Sequence, residues 1–140
     1  MNYWLIKSEP EAWSWDDQVK AGAKGEAWTG VRNHAAKLNL TKMKKGDRAF
    51  FYHSGDDKAV VGIAEITRES YPDPTAAPGE PWVVVDVKAL RPLKTPVPLA
   101  AIKAEPALKD MTLIKQSRLS VQPVAAAQWN VVCRMGGVAP

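Results

Sequence analysis

RAFFYHSGDDKAVVGIAEITRES, residues 48–70, is the stretch that decides the fold. Arg48 to His53 is rich in aromatic residues, Gly55-Asp56-Asp57-Lys58 supplies turn residues, and Ala59 to Ser70 resumes strand character. The pattern predicts two antiparallel strands. Upstream, Gly46-Asp47 makes the turn into the first strand. Downstream, Tyr71 to Pro81 holds Pro72, Pro74, Pro78, Gly79 and Pro81, which reads as an exposed loop whose removal leaves the core intact. Trp82 to Leu90 then alternates, with Val83, Val85 and Val87 on one face and Trp82, Val84, Asp86 and Lys88 on the other, as a strand does.

Toward the N-terminus, Tyr3 to Lys7 reads as a first strand, stopped before Pro10 because proline disfavours helix at the preceding Glu9. Ser14 opens a short helix: its hydroxyl can cap the first-turn amides, and Asp16 and Asp17 suit the positive end of the helix dipole. Gly22 and Gly25 close that helix. A second helix runs from Asn33 to Met43, where Ala36, Leu40 and Met43 recur at helical spacing. Toward the C-terminus, Pro92 to Pro106 reads as an irregular crossing with one helical turn at Leu99 to Ala104. Ser120 to Pro123 reads as a last short strand, and a final helix starting at Pro123 or Val124 ends at Gly136-Gly137. Short strands joined by short helices predict an α+β arrangement, a small mixed β-barrel with flanking helices that closes its own edges. A parallel doubly wound sheet is disfavoured.

The length of 140 residues suits one domain spanning 1–140, and 46% hydrophobic residues suffice for a continuous core. Nineteen Lys and Arg against fifteen Asp and Glu give a net charge of +4, which favours an anionic partner without the basicity of a protein that coats duplex. Cys133 is the only cysteine, so no internal disulfide forms, and with His34 and His53 it makes no zinc ligand set. The apolar start Tyr3-Trp4-Leu5-Ile6 is too short for a signal-peptide core or a membrane span. The expectation is a cytoplasmic monomer with no membrane, metal or cofactor requirement.

No glycine-rich phosphate cradle, serine elbow or paired ligand motif is present. His53 is the one candidate general base, and its commoner role is that of a strand-end histidine bonded to backbone. Asp56-Asp57 reads as a turn, and Lys42, Lys44 and Lys45 as a solvated helix end with a secondary capacity for phosphate.

The chemically informative segment is Trp28-Thr29-Gly30-Val31-Arg32-Asn33. An indole offers any base a stacking face worth ~1 to 3 kcal/mol. Gly30 permits close backbone approach, Arg32 offers a planar fork to phosphate or a base edge, and Asn33 can both donate and accept. Residue by residue the segment reads equally as a core anchor, a turn and a helix cap. Arg32 opposes the dipole of the helix it precedes, which is easier to understand if it faces an anion.

Lys7-Ser8-Glu9-Pro10, Trp28 to Asn33, Phe50-Phe51-Tyr52-His53-Ser54 and Ser120-Val121-Gln122-Pro123 together resemble the EVE-domain family, in family order and over nearly the whole chain. The resemblance implies a PUA-like barrel related to the YTH and SRA base readers. It also implies a non-catalytic module for a modified base, modified cytosine in DNA ahead of a comparable base in tRNA or rRNA. Carried onto this chain it implies that Trp28 stacks on the base, that Asn33 and backbone near Ser8 read its edge, and that Arg32 with Lys7 meets phosphate. Gly30 and Val31 belong to the same segment, and Tyr52, His53, Ser54 and Gln122 complete the wall. The chain departs from the family at Thr29, often acidic, and at Lys37, often arginine; lysine lacks the bidentate fork. A nuclease or modifying enzyme acting alongside is a partner class compatible with such a module. The rival reading is a small hydrolase or transferase acting on a nucleoside-like substrate with His53 as base.

Overall fold

β1 (Tyr3–Ser8) and β3 (Arg48–His53) are buried on both faces, and the chain supplies cover for each side. Along β1, Leu5 faces one core while Trp4 and Ile6 face the other; along β3, Phe50 and Tyr52 face the first while Ala49 and Phe51 face the second. This is the two-residue period of a strand applied to apolar residues on both sides. Fully burying each such large side chain contributes ~1.5 to 3 kcal/mol. The computed structural model describes all 140 residues.

The sheet has six strands in the order β2 (Glu26–Ala27), β5 (Val83–Pro98), β4 (Ala59–Pro72), β3, β1, β6 (Val121–Val124). β1 and β3 pair in parallel, Leu5 opposite Phe50; every other pairing is antiparallel. The first face is covered by α3 (Leu99–Ala104), α4 (Thr112–Lys115) and α5 (Ala126–Met135), which contribute Ile102, Leu113, Trp129 and Val132. Trp129 stacks between Phe50 and Tyr3, with ring centroids 3.9 and 4.5 Å away. The second face is covered by α1 (Trp15–Lys20), α2 (His34–Lys42) and the link between β2 and α2, through Trp15, Leu40, Trp28 and Val31.

The expected closed barrel is corrected here: β2 and β6 are both edges of an open sheet. β2 is only two residues long, and Pro123 blocks the other side. Lys7 N–H donates to Ser120 O and Gln122 lies opposite Leu5, so Val121 and Pro123 point away from β1. Proline has no N–H to offer a further strand, and Asn39 Nδ2 from α2 takes Val121 O at 2.8 Å. A helix side chain therefore caps the edge that a barrel would have paired.

The proline-rich stretch after Leu90 also differs from expectation. β5 continues through Pro92 and Pro96 to Pro98, pairing Pro92 with Gly62 and Pro98 with Ala59. β2 covers β5 only at Asp86 and Val87, so beyond them no strand pairs with the other side of β5, where Thr95 N–H goes to Gly136 O instead and a missing N–H costs no ladder bond. The first helix ends at Lys20, before Gly22, and the last begins at Ala126.

Two glycines mark close approaches. A Cβ on Gly25, which has φ +69°, would lie 2.3 Å from Val87 O where β2 meets β5. A Cβ on Gly62 would lie 2.5 Å from the Trp15 ring, which packs flat over the β4 backbone. Gly62→Ala is expected to destabilise the protein by ~1 to 3 kcal/mol through this overpacking, measurable as a lowered urea midpoint at unchanged slope.

Candidate nucleic-acid interface

A cavity of about 280 Å³ opens where β1 ends. Lys7 and Ser8 enter it from the last residues of β1, Ala12 and Trp13 from the turn that follows, and Glu26 to Thr29 from β2 and its extension. Each wall is held by a definite bond. Ser8 Oγ donates to Trp13 O at 2.6 Å, and Ser54 N–H donates to Ser8 O at 3.0 Å. Trp13 Nε1 donates to Gln18 Oε1 at 2.9 Å, while the buried Gln18 amide donates to Val87 O at 3.1 Å, so the half-buried Trp13 ring is tied through α1 to the sheet. Ser14 and Asp17 form a reciprocal capping box that fixes the start of α1 just after Trp13.

Trp28 N–H donates to Val85 O at 2.8 Å, extending the β2 pairing by one bond. Its indole meets Phe51 edge-on with centroids 5.5 Å apart and is only 7% exposed. Most of the ring is core, and the small remainder borders the cavity. Lys7 Nζ donates to Ser117 O at 2.6 Å and lies 5.8 Å over the Tyr52 ring; burial lowers its pKa from the ordinary lysine value. The cavity thus combines a carboxylate on Glu26, two hydroxyls and two indoles, while the Lys7 ammonium is held outside it, on the Tyr52 side of β1.

The neighbouring segment is clamped by Asp73, whose side chain is fully buried. Asp73 Oδ2 accepts from Gly30 N–H and from Arg32 Nη1, both at 3.0 Å, and its other oxygen accepts from the Thr75 hydroxyl at 2.6 Å and amide at 2.7 Å. Burial alone raises the carboxyl pKa, but the bonds from Thr75, Gly30 and Arg32 outweigh it and hold the value at about 2. Arg32 also reaches Thr75 Oγ1 at 3.1 Å and lies 5.8 Å from the Trp82 ring. The loop after β4 is therefore a structural strap as well as an exposed loop: it contributes no residue to either core, but removing it strips Gly30 and Arg32 of their partners.

Of the residues singled out in the sequence, the structure brings Lys7, Ser8, Trp28 and Thr29 together at the cavity. The others lie elsewhere. Arg32 does face an anion, but the anion is internal, so its fork is occupied. Gly30, with φ +84°, gives its amide to Asp73, and Val31 is buried in the second core. Asn33 is the N-cap of α2, Oδ1 accepting from Ala36 N–H at 3.0 Å, and it borders a different groove with Lys115 to Leu119. Tyr52 is buried in the first core, and burial raises its pKa. His53 Nε2 accepts from Trp15 N–H at 3.0 Å while Nδ1 lies 3.1 Å from Asp57, leaving neither nitrogen free as a base. Ser54 contributes only backbone. Gln122 is buried, donating to Leu119 O at 2.8 Å and Gln116 O at 3.3 Å.

Sequence reading missed Trp13 and Glu26. The signal for Trp13 was its place immediately before a serine N-cap, where an apolar ring fixes the entry of the chain into a helix.

A model of the EVE domain matches residues 2–135. The chain belongs to the EVE domain family. It is 37% identical to mouse Thymocyte nuclear protein 1 over 171 residues, an alignment covering 99% of this chain and 75% of the mouse protein. Among solved structures, a Rhodopseudomonas palustris protein, Rpa0253, is 66% identical with TM-score 0.92, covering 98% of this chain and 94% of that one. A crystal structure of human THYN1 in complex with DNA containing 5-methylcytosine is 33% identical with TM-score 0.89, and each chain covers 100% of the other. This EVE domain thus shares its α+β, PUA-like fold with a relative crystallised on modified DNA.

Asp73 supplies a pH signature for the strap. Its folded pKa lies below the ordinary carboxylate value of 3.8, so the stability it contributes is complete above pH ~5 and is lost as pH falls toward 2. Thermal melts between pH 6 and 2 are expected to show that loss, and Asp73→Asn is expected to lower stability at neutral pH by ~1 to 3 kcal/mol while flattening the acid dependence.

Proposed function

We propose that this EVE domain binds DNA carrying a modified cytosine and receives the extruded base in the cavity beside Trp13 and Trp28. The observation that carries the reading is the cavity's composition. Two indoles fixed by core packing and by Gln18 stand beside the hydroxyl of Thr29 and an anion, Glu26. Cytosine presents an exocyclic amino group that donates to a carboxylate, and its ring nitrogen and carbonyl accept from a donor such as the Thr29 hydroxyl. The volume of about 280 Å³ lies just below the usual range of ligand sites, suited to one base rather than a larger cofactor. The complex of human THYN1 with DNA containing 5-methylcytosine supports DNA as the partner.

In this reading Trp13 provides the stacking face, since it is half-buried, while Trp28 forms the floor. The proximity of Thr29 to the cavity makes it a position that tunes which modification fits. Extrusion costs a few kcal/mol of stacking and pairing, which the pocket must recover. The net charge of +4 supplies modest, salt-sensitive attraction to the backbone. The role is binding without turnover, because the candidate base His53 has both nitrogens engaged.

Titrating the protein with duplexes containing cytosine, 5-methylcytosine or 5-hydroxymethylcytosine, and with matched RNA, tests the proposal by fluorescence anisotropy. A modified-DNA preference is expected; equal and negligible binding to all four overturns it, and a preference for RNA reassigns the partner. Trp13→Ala is expected to weaken binding of the preferred duplex by ~5- to 150-fold, the loss of one stacking face, with the fold retained by circular dichroism. Mass spectrometry of the oligonucleotides after incubation is expected to find them unchanged.

A further inference from the structure

The base cavity does not stand alone. Lys7 borders the cavity and sends its Nζ away from it to Ser117 O, to which it donates at 2.6 Å, and Ser117 lines a second groove of about 390 Å³. Asn33 and Ala35 from the start of α2 form one bank of this groove; Lys115 to Leu119, between α4 and β6, form the other. Its chemistry differs from that of the cavity. No carboxylate lines it, while Lys115 and Arg118 are both exposed in it. Arg118 makes no ion pair or hydrogen bond through its side chain, in contrast to Arg32, which is spent on Asp73 and Thr75. Lys115 has only an exposed contact with Asp110 at 3.3 Å, the kind that competes poorly with a phosphate. Asn33 uses Oδ1 on its own helix, leaving its amide N–H groups to donate.

The bank that carries Arg118 is held from below. Gln122, wholly buried on β6, donates to Gln116 O and Leu119 O, the two carbonyls on either side of Ser117-Arg118, and leaves its own Oε1 buried without a partner. An unpaired buried carbonyl is costly, so a glutamine here is understandable as an anchor for that bank. Lys7 adds a third bond to the same stretch through Ser117 O. The loop is thus fixed while its one arginine is left free, which is the preorganisation a phosphate seat requires.

We propose that the groove formed by Asn33, Lys115 and Arg118 seats a backbone phosphate of the strand whose base enters the cavity, with Arg118 as the principal contact and Gln122 as the residue that positions it. This rests on the base-pocket reading for its geometry, since the two sites share the Lys7–Ser117 wall. It moves the phosphate contact away from Arg32, and it gives Asn33 a backbone role in place of a base-reading one. Phosphate contacts set affinity and salt dependence without carrying sequence or modification information.

The test uses the full chain with a duplex carrying one 5-methylcytosine and its unmodified counterpart, over ~50 to 300 mM salt. Arg118→Ala is expected to weaken both duplexes by about the same factor, to lower the slope of log K against log salt by ~1, and to leave the ratio between the duplexes unchanged. Arg118→Lys is expected to restore the slope but only part of the affinity, because it keeps the charge and loses the fork. Lys103→Ala, which removes one exposed charge on α3, is expected to leave the slope unchanged. Wild-type slope and affinity in Arg118→Ala, or an equal loss in Lys103→Ala, overturns the proposal. If the wild type binds both duplexes alike, the base-pocket reading fails while the Arg118 slope still decides the groove; if it binds neither, both fail.

Discussion

The constraint on which the structure depends is that β1 and β3 are apolar on both faces. A strand like Ala49-Phe50-Phe51-Tyr52 cannot leave either side to water, so the chain must lay cover above and below. The C-terminal helices satisfy one face almost completely, with Trp129 wedged between Tyr3 and Phe50. The other face is covered by smaller pieces: a six-residue helix, a nine-residue helix and the link that carries Trp28. The cavity lies where that patchwork meets the end of β1, and its floor is core by necessity. Trp28 belongs to the hydrophobic centre first and to the cavity second.

The same patchwork explains why so much polar bonding surrounds the site. A link without regular structure leaves backbone amides that must find partners. Asp73 meets that need for Gly30 and neutralises Arg32 at the same time, so one buried carboxylate orders two neighbouring segments. Gln18 does the like for Trp13 and β5, and Gln122 for the stretch before β6. Three buried polar side chains thus convert loops into fixed walls. A side chain committed to such a wall has its polar atoms engaged, as those of Arg32 and His53 are, whereas the Arg118 side chain has no partner in the fold.

Much of the architecture was legible in the residues. The hairpin of β3 and β4, the Ser14 cap, the Asn33-initiated helix and the final helix all follow from local patterns, because caps, turns and periodicity act over a few residues. The strand running on through Pro92 to Pro98 was not legible. Proline is tolerated there only because β2 is too short to cover that side of β5, a fact about a partner some 65 residues away. The open edge at β6 was likewise settled by Asn39 reaching across to Val121.

For the site, the sequence alone determined which residue types were present and that four blocks belong to one family. It placed Trp28 among the candidates on chemical character, and Lys7 and Ser8 through the family resemblance. Which of those residues border the cavity was decided only by tertiary structure. Hydrogen bonds between residues distant in sequence, such as Arg32 to Asp73 and Gln122 to the Leu119 carbonyl, consume donors that look free in a linear reading. Trp13 is likewise placed by distant partners, its carbonyl bonded by Ser8 and its indole tied through Gln18 to β5, and Arg118 stands on a loop held by Gln122 and Lys7.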